Sequence, residues 1–210
     1  MKYPDYHTAI DFEQYCLLIY HVPKTGGTTL HHFLRNRLIP NQTFMHYGYF
    51  GDWERKKVGL SPLEEESESK KRALRVIQGD RVHADLVEYL PKTVLNMIFL
   101  RDPINRTLSH YRYAQRKKHS EAEKEPFSEF FMRMQPNFTT RFLSYRLKSS
   151  RSQNMLDCLL KSMLGRTPFQ RDFLRYWFVK KQLKNFFYIG FTETFETDLK
   201  NLEIMIGCTD

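Results

Sequence analysis

Residues 15–29 read YCLLIYHVPKTGGTT, an apolar run that is followed by a loop with two consecutive glycines. The apolar run, Tyr15–Tyr20, is typical of a central parallel strand that is covered on both faces. The loop begins at His21, and the residues after it predict a helix over Leu30–Leu38. A strand, a glycine loop and a helix in this order predict an α/β fold with a ligand site at the end of the strand.

Further apolar runs predict the other strands of the sheet, at Thr43–Tyr47, Leu74–Gln78, Val94–Leu100 and Phe186–Gly190. Helical patterns lie between and after them, at His83–Leu90, Ile104–Arg116, most of Phe127–Lys184 and Thr194–Ile206. Strands that alternate with helices favour a parallel sheet with helices on both faces. Ligands of such sheets bind at the carboxyl ends of the strands, where the glycine loop would lie.

The composition indicates one folded domain with a positive net charge. The 210 residues include 41% hydrophobic and 15% aromatic side chains, which is enough for a core rich in rings. A formal net charge of +9 favours binding of a nucleotide, an acidic glycan, a nucleic acid or an anionic membrane. A solvated basic surface without such a partner explains the charge equally well.

The cysteines and the first residues indicate the compartment. Cys16, Cys158 and Cys208 are widely separated and form no CxxC pair, so neither a disulfide framework nor a cysteine zinc site is indicated. The stretch Met1–His7 lacks the apolar run of a signal peptide, and no later stretch approaches ~18 apolar residues. We therefore expect a cytoplasmic protein without a transmembrane segment.

The glycine loop carries the groups that a phosphate needs. Gly26 and Gly27 let the backbone approach a phosphate closely, and the first N–H groups of the following helix favour an anion. Lys24 adds a positive charge, and hydroxyl donors come from Thr25, Thr28 and Thr29. Because the lysine precedes the glycines, the loop is not GxxxxGK[ST], which disfavours an ordinary P-loop kinase or ATPase. The alternative interpretation is a simple glycine turn beside a surface lysine.

Residues 99–111 read FLRDPINRTLSHY and form a second candidate phosphate site. Arg101 ends an apolar strand, Asp102 occupies the position of a helix N-cap, and Pro103 suits the first helical turn. Ser109 lies about two helical turns beyond Arg101, so that both side chains can reach one phosphate. The alternative interpretation is a capped helix with a surface arginine.

Together, HVPKTGGTT at residues 21–29 and FLRDPINRTLSHY at residues 99–111 resemble the superfamily of sulfotransferases that use 3′-phosphoadenosine 5′-phosphosulfate (PAPS). In particular, the chain resembles carbohydrate sulfotransferases of the heparan sulfate 2-O-sulfotransferase type and their bacterial relatives. Weaker similarities follow at NFTTRFL, residues 137–143, and at IGFTETF, residues 189–195. The resemblance implies a P-loop-like three-layer fold with a central parallel sheet, flanking helices and a helix-rich C-terminal half, in one sulfotransferase-like domain over residues 1–210.

The resemblance also implies an activity, which is transfer of a sulfuryl group from PAPS to a hydroxyl of a carbohydrate or glycoconjugate acceptor. The product would be 3′,5′-adenosine bisphosphate, and no metal would be needed. Lys24 would neutralise the charge that grows on the leaving phosphate oxygen. The 5′-phosphate would be bound by Gly26, Gly27, Thr28 and Thr29, and the 3′-phosphate by Arg101 and Ser109. Further candidates for contact with the nucleotide or an anionic acceptor are Arg141, ranked first, Arg106 and Arg112.

A general base should take the proton from the acceptor hydroxyl, and a histidine or a carboxylate is the usual choice. The resembled sulfotransferases typically have a histidine next to a glycine at a strand end, whereas residues 76–85 of this chain read VIQGDRVHAD. His83 is the preferred catalytic base and Asp80, which follows Gly79 directly, is the second choice. The alternative is that His83 merely starts a helix. His46, near the end of a predicted strand, is a third candidate.

Other side chains near these segments are expected to serve packing. Four aromatic residues could stack on a sugar or on adenine: Tyr145, Tyr176, Trp177 and Phe178. We expect most of them to pack in the core instead. Packing or surface roles are also expected for the histidines His21, His31, His32 and His110.

Two other classes of function compete with sulfuryl transfer. A nucleotide kinase would need a magnesium-binding carboxylate at a strand end, which Asp80 could imitate, and a lysine after the glycines, which is absent. A nucleic-acid-binding module would use the charge of +9, but the chain has no helix-turn-helix, zinc-finger or RNA-binding aromatic motif. We therefore expect a hydroxyl-bearing acceptor as partner and no nucleic acid, and make no prediction of the oligomeric state.

Overall fold

The computed structural model describes residues 4–39, 43–46, 63, 66–117, 125–147 and 168–207. Within these ranges five strands form one sheet: β1 (Tyr15–His21), β2 (Phe44–His46), β3 (Val76–Gly79), β4 (Thr93–Leu100) and β5 (Tyr188–Phe191). Their order is β2-β3-β1-β4-β5, and every neighbouring pair is parallel. The predicted parallel sheet is therefore confirmed, with β1 at its centre.

Helices connect the strands of the sheet, as a parallel arrangement requires. The α-helices are α1 (Gly27–Arg37), α2 (Glu68–Ala73), α3 (Pro103–Arg116), α4 (Phe127–Arg133), α5 (Phe138–Arg146), α6 (Pro168–Leu183) and α7 (Phe195–Ile206). Two 3₁₀ helices occupy Ala84–Tyr89 and Thr192–Thr194. None of these described helices is long and apolar enough to cross a membrane.

The core lies on both faces of the sheet because β1 is apolar at every interior position. On one face Cys16, Leu18 and Tyr20 join a buried cluster with Leu143 of α5 and Phe178 of α6. On the other face the intervening residues of β1 pack with helices α1 and α7, through Leu17, Ile19, Leu34 and Leu202. The result is the predicted three-layer fold, and the loops after β1, β3 and β4 all leave from the same edge of the sheet.

Several predicted boundaries differ from the structure. Helix α1 begins at Gly27 and not at Leu30, because Gly26 takes a left-handed conformation and serves as its N-cap. The helix predicted over His83–Leu90 is a 3₁₀ helix over Ala84–Tyr89, too short for two α-helical turns. The described part of Phe127–Lys184 is mainly helical, as predicted. Tyr47, residues 148–167 and Cys208 lie outside the described residues.

Candidate active site

The loop between β1 and α1 has a backbone that prepares a helix N-terminus for an anion. Lys24 and Gly26 both have positive φ, at 75° and 82°. The first intrahelical hydrogen bond runs from the Leu30 N–H to the Gly26 carbonyl. The N–H groups of residues 27–29 therefore precede the hydrogen bonds of the helix. No acidic residue occupies the first turn. Both these amides and the helix dipole therefore favour an anion at this point.

The hydroxyl of Thr25 has a role that differs from the predicted one. Thr25 is 2% exposed, and its Oγ1 donates a hydrogen bond of 2.8 Å to the Val22 carbonyl within the loop. This bond uses the only proton of the hydroxyl. Thr25 therefore stabilises the turn from inside, while Thr28 and Thr29 are exposed at the start of α1.

Neighbouring rings leave little room for a side chain at either glycine of the loop. The expected approach of a ligand favours glycine there as well. A Cβ atom at Gly27 would overlap Nε2 of His21, and one at Gly26 would lie 3.1 Å from the ring of Phe195. His21 thus has the packing role that was predicted for it. These contacts pack β1 and α7 against the loop, and they partly explain why the sequence has two consecutive glycines here.

The segment after β4 begins α3 as predicted. Asp102 caps the helix, since its Oδ1 accepts a hydrogen bond of 2.9 Å from the Asn105 N–H, and Pro103 occupies the first turn. The backbone N–H of Asp102 donates to Oε1 of Glu193 at 3.1 Å. In addition, Oγ1 of Thr192 donates to the Leu100 carbonyl at 2.9 Å. These contacts bring the weaker similarity at residues 189–195 next to the second phosphate segment.

The two phosphate segments contact each other directly. Nη1 of Arg101 donates a hydrogen bond of 3.2 Å to the backbone carbonyl of Lys24. The Nζ atom of Lys24 lies 3.9 Å from the centre of the Tyr113 ring on α3. Burial, followed by the charges of Arg116 and Arg101, lowers the pKa of Lys24 below its ordinary value. An electropositive region therefore extends from the glycine loop to α3.

A cavity of about 250 Å³ on α3 contains the residues predicted to hold the 3′-phosphate. Its lining residues are Arg101, Asn105, Leu108, Ser109, Arg112 and Arg116, which repeat at helical spacing. The structure thus brings Arg101 and Ser109 together, and Nε of Arg101 is buried without a hydrogen-bond partner among the described residues. In the described part of the chain the lining offers three guanidinium groups, a hydroxyl and no carboxylate, so this cavity fits a phosphate group.

Arg116 was missed in the sequence, although its spacing from Arg112 is a signal that could have found it. It lines the cavity of Arg101 and Ser109, and its charge contributes to the lowered pKa of Lys24. The spacing alone is also typical of a solvated helix face. Only the packing of α3 against the loop distinguishes an arginine of the cavity from an arginine on such a face.

The candidate bases lie at the end of the neighbouring strand β3. Because Gly79 pairs with Tyr20 in the parallel register, Asp80 follows at the level of His21. Oδ1 of Asp80 is buried without a hydrogen-bond partner among the described residues. His83 precedes the 3₁₀ helix, and its Nδ1 lies 4.0 Å from Oδ2 of Asp85. Asp80 therefore directly follows a strand that pairs with β1, and both residues stay candidates.

Two other histidines occupy different positions. His46 belongs to the edge strand β2, which is separated from β1 by β3. His110, on α3, has its ring 5.6 Å from that of Phe130, in agreement with the packing role expected for it.

Arg141 has an intramolecular partner instead of a place in the cavity of Arg101. Its Nε and Nη2 donate to the two carboxylate oxygens of Asp172 at 2.9 and 2.8 Å, which joins α5 to α6. Burial would raise the pKa of Asp172, but hydrogen bonds from Arg141, Asn137 and Arg175 hold it below its usual value. The bidentate pair fixes the guanidinium, so nucleotide contact by Arg141 stays a prediction without geometric support.

The aromatic residues near α5 and α6 are divided between the core and the surface. Phe178 is buried as predicted, but core packing is wrong for Tyr145, Tyr176 and Trp177, which are 68%, 51% and 53% exposed. Helix α6 buries Phe178 and Val179 against the sheet, and Tyr176 and Trp177 lie on its outer face. These rings are available to a ligand or a partner.

Comparison with known proteins gives the family of the chain. The profile of the sulfotransferase family matches residues 7–210, and the chain therefore belongs to the sulfotransferase family, within the PAPS-dependent superfamily. A crystal structure of mouse sulfotransferase SULT7A1 complexed with PAP covers 97% of this chain at 15% sequence identity, with a TM-score of 0.41. This chain covers 61% of that protein, which is less than two thirds of its length. A search of curated protein sequences gives no significant match.

Proposed function

We propose that this protein transfers a sulfuryl group from PAPS to a hydroxyl group of an acceptor. The observation that carries the proposal is the hydrogen bond from Arg101 to the Lys24 carbonyl, which joins two regions suited to anions. A nucleotide with phosphates at the 5′ and 3′ positions needs two such regions. Membership of the sulfotransferase family supports the same assignment.

The donor would occupy both regions of the site. The amides at the start of α1 and the ammonium group of Lys24 would hold the 5′-phosphosulfate. The cavity on α3 would hold the 3′-phosphate, with Arg101 and Ser109 as predicted and with Arg112 and Arg116 as further cations. The lining, as far as the structure describes it, has no carboxylate, which supports an anionic occupant.

The residues around the loop can supply what sulfuryl transfer requires. In this reaction a bond forms between sulfur and the acceptor oxygen while the bond between sulfur and the 5′-phosphate oxygen breaks. Lys24 would stabilise the negative charge that the phosphate oxygen gains, which is electrostatic catalysis by a group already in place. The acceptor proton would pass to a base at the end of β3, either Asp80 or His83. None of these steps uses a metal ion.

For the acceptor we propose a carbohydrate or glycoconjugate, on the basis of the sequence resemblance. The net charge of +9 suits an acidic glycan, because such a charge attracts polyanions. The exposed rings of Tyr176 and Trp177 offer flat apolar surfaces of the kind on which sugar rings stack.

Calorimetry with 3′,5′-adenosine bisphosphate tests the donor site, with 5′-AMP and ATP–magnesium as comparison ligands. We expect the bisphosphate to bind most tightly in the wild type and to lose this advantage in Arg101→Ala. Equal binding of all three nucleotides, or preference for ATP–magnesium, would overturn the proposal and favour a kinase or a general polyanion binder. Transfer of labelled sulfate from PAPS to a panel of glycans then tests the acceptor.

A further inference from the structure

A second cavity, of about 410 Å³, lies between α3, α4 and α5. Its lining shares no described residue with the cavity of Arg101 and Ser109, because it uses the opposite face of α3. Its walls combine apolar side chains, among them Ile104, Phe131 and Phe138, with polar ones such as Gln135 and Asn137. The proposed donor site therefore does not extend into this cavity.

Arg106 lines this second cavity and is a buried cation without an acidic partner among the described residues. Only 4% of the residue is exposed. Its guanidinium lies 4.3 Å from the centre of the Phe138 ring, and Nη2 is 3.4 Å from Oγ1 of Thr107. No carboxylate forms an ion pair with Arg106 in the part of the chain that the structure describes. Burial lowers the pKa of this guanidinium.

A buried charge without a counter-ion is costly, so a charge of this kind is usually paired. Arg141 illustrates the paired case, since both of its carboxylate contacts come from Asp172. The described part of the chain supplies no such partner to Arg106, although the cavity beside it has room for one. An anion brought by a ligand would complete the pair.

The rim of the cavity indicates what else such a ligand must carry. Ile104, Phe131 and Met132 are 61%, 45% and 83% exposed, which is unusual for large apolar side chains that lie together. Covering them would remove apolar surface from water, which favours binding of an apolar group. A nucleotide with several phosphates does not match a cavity whose described walls carry one cation beside neutral side chains.

We propose that the cavity between α3, α4 and α5 binds a small molecule with an apolar body and one carboxylate or sulfate group, and that Arg106 pairs with the acidic group. This site is separate from the proposed donor site, and its ligand is distinct from the donor nucleotide.

Naphthalene-2-carboxylate and naphthalene-2-sulfonate are suitable probes, with neutral naphthalene-2-carboxamide as the matched compound. Binding is measured by calorimetry, with and without 3′,5′-adenosine bisphosphate. We expect at least one acid to bind roughly tenfold or more tightly than the amide, since a charge-assisted pair is lost in the amide. In Arg106→Met that difference should disappear. Arg35→Met, at an exposed position of α1, should retain it.

A second variant tests the apolar part of the site without touching the buried arginine. Ile104 is exposed, so Ile104→Gln should fold normally and weaken the acids and the amide alike. The proposal is wrong if neither acid binds, if the amide binds as well as both acids, or if Arg106→Met keeps the preference for acids. Displacement of the acids by 3′,5′-adenosine bisphosphate would also overturn it, because the probes would then occupy the donor cavity.

Discussion

Nη1 of Arg101 donates a hydrogen bond to the backbone carbonyl of Lys24, and this one contact joins two segments that lie 77 residues apart in the chain. The carbonyl belongs to a residue with positive φ, so the arginine stabilises an uncommon backbone conformation while it also lines the cavity on α3. The geometry of the glycine loop therefore depends on the helix that carries the second anion site.

Replacement of Lys24 by alanine should abolish sulfuryl transfer and leave the fold intact. The side chain contacts the Tyr113 ring and makes no ion pair among the described residues, so its loss removes little packing. Transfer of labelled sulfate is the measurement, and Lys200→Ala, at an exposed position of α7, is the control. Undiminished transfer by Lys24→Ala would refute the catalytic role.

Binding of 3′,5′-adenosine bisphosphate should weaken as the pH rises through the alkaline range. The pKa of Lys24 lies below its ordinary value of 10.5 because of burial and the nearby Arg116 and Arg101. A bound phosphate favours the charged amine, so binding raises this pKa and takes up a proton. Calorimetry in two buffers of different ionisation enthalpy measures the uptake. The same uptake in Lys24→Ala would assign the proton to another group.

Replacement of Arg101 by alanine should weaken binding of the bisphosphate by about 1.5–3 kcal/mol, the scale of a charged hydrogen bond. Affinity for 5′-AMP should change less, because that nucleotide lacks the 3′-phosphate. Arg35→Ala, at an exposed position of α1, controls for the general loss of positive charge. If Arg101→Ala binds the bisphosphate as well as the wild type does, the placement of the 3′-phosphate is wrong.

A methyl group at position 27 should displace the ring of His21. A Cβ atom there would overlap Nε2 of the histidine, and overpacking of this kind costs about 1–3 kcal/mol. We expect Gly27→Ala to lower both the unfolding free energy and the bisphosphate affinity. The double variant with His21→Ala should recover part of both losses, because the smaller side chain restores the space. Additive effects in denaturation and binding experiments would show that the ring is not responsible.

The variants Asp80→Asn and His83→Ala separate the two candidate bases. The residue that accepts the acceptor proton should lose roughly 10²-fold or more in transfer rate on replacement, while donor binding is retained. Rates of sulfate transfer at saturating donor are the measurement. Normal rates in both variants would exclude this segment from proton transfer.

The features that the sequence predicts well are those that depend on neighbouring residues. The strand β1 follows from a continuous apolar run, and the cap at Asp102 follows from its position before Pro103. The convergence of Arg101 and Ser109 also follows from helical spacing and is found in one cavity. Local rules are sufficient in each of these cases.

The features that sequence reasoning missed depend on packing between distant elements. The pair between Arg141 and Asp172 joins residues 31 positions apart and explains why that arginine is not in the cavity of Arg101. Tyr176 and Trp177 have the apolar character of core residues, but the orientation of α6 exposes them. The contact of Lys24 with the Tyr113 ring likewise required the position of α3.

Lys24 has a positive φ of 75°, so the stability of the protein and the proposed reaction favour different residues at this position. Such a backbone costs a non-glycine residue about 1 kcal/mol or more, so Lys24→Gly would relax the loop while removing its ammonium group. Selection for thermal stability alone would thus tend to enrich glycine at this position. The resulting protein would be more stable and would lack transfer activity. If an evolving population retains lysine at position 24, the reaction itself is under selection.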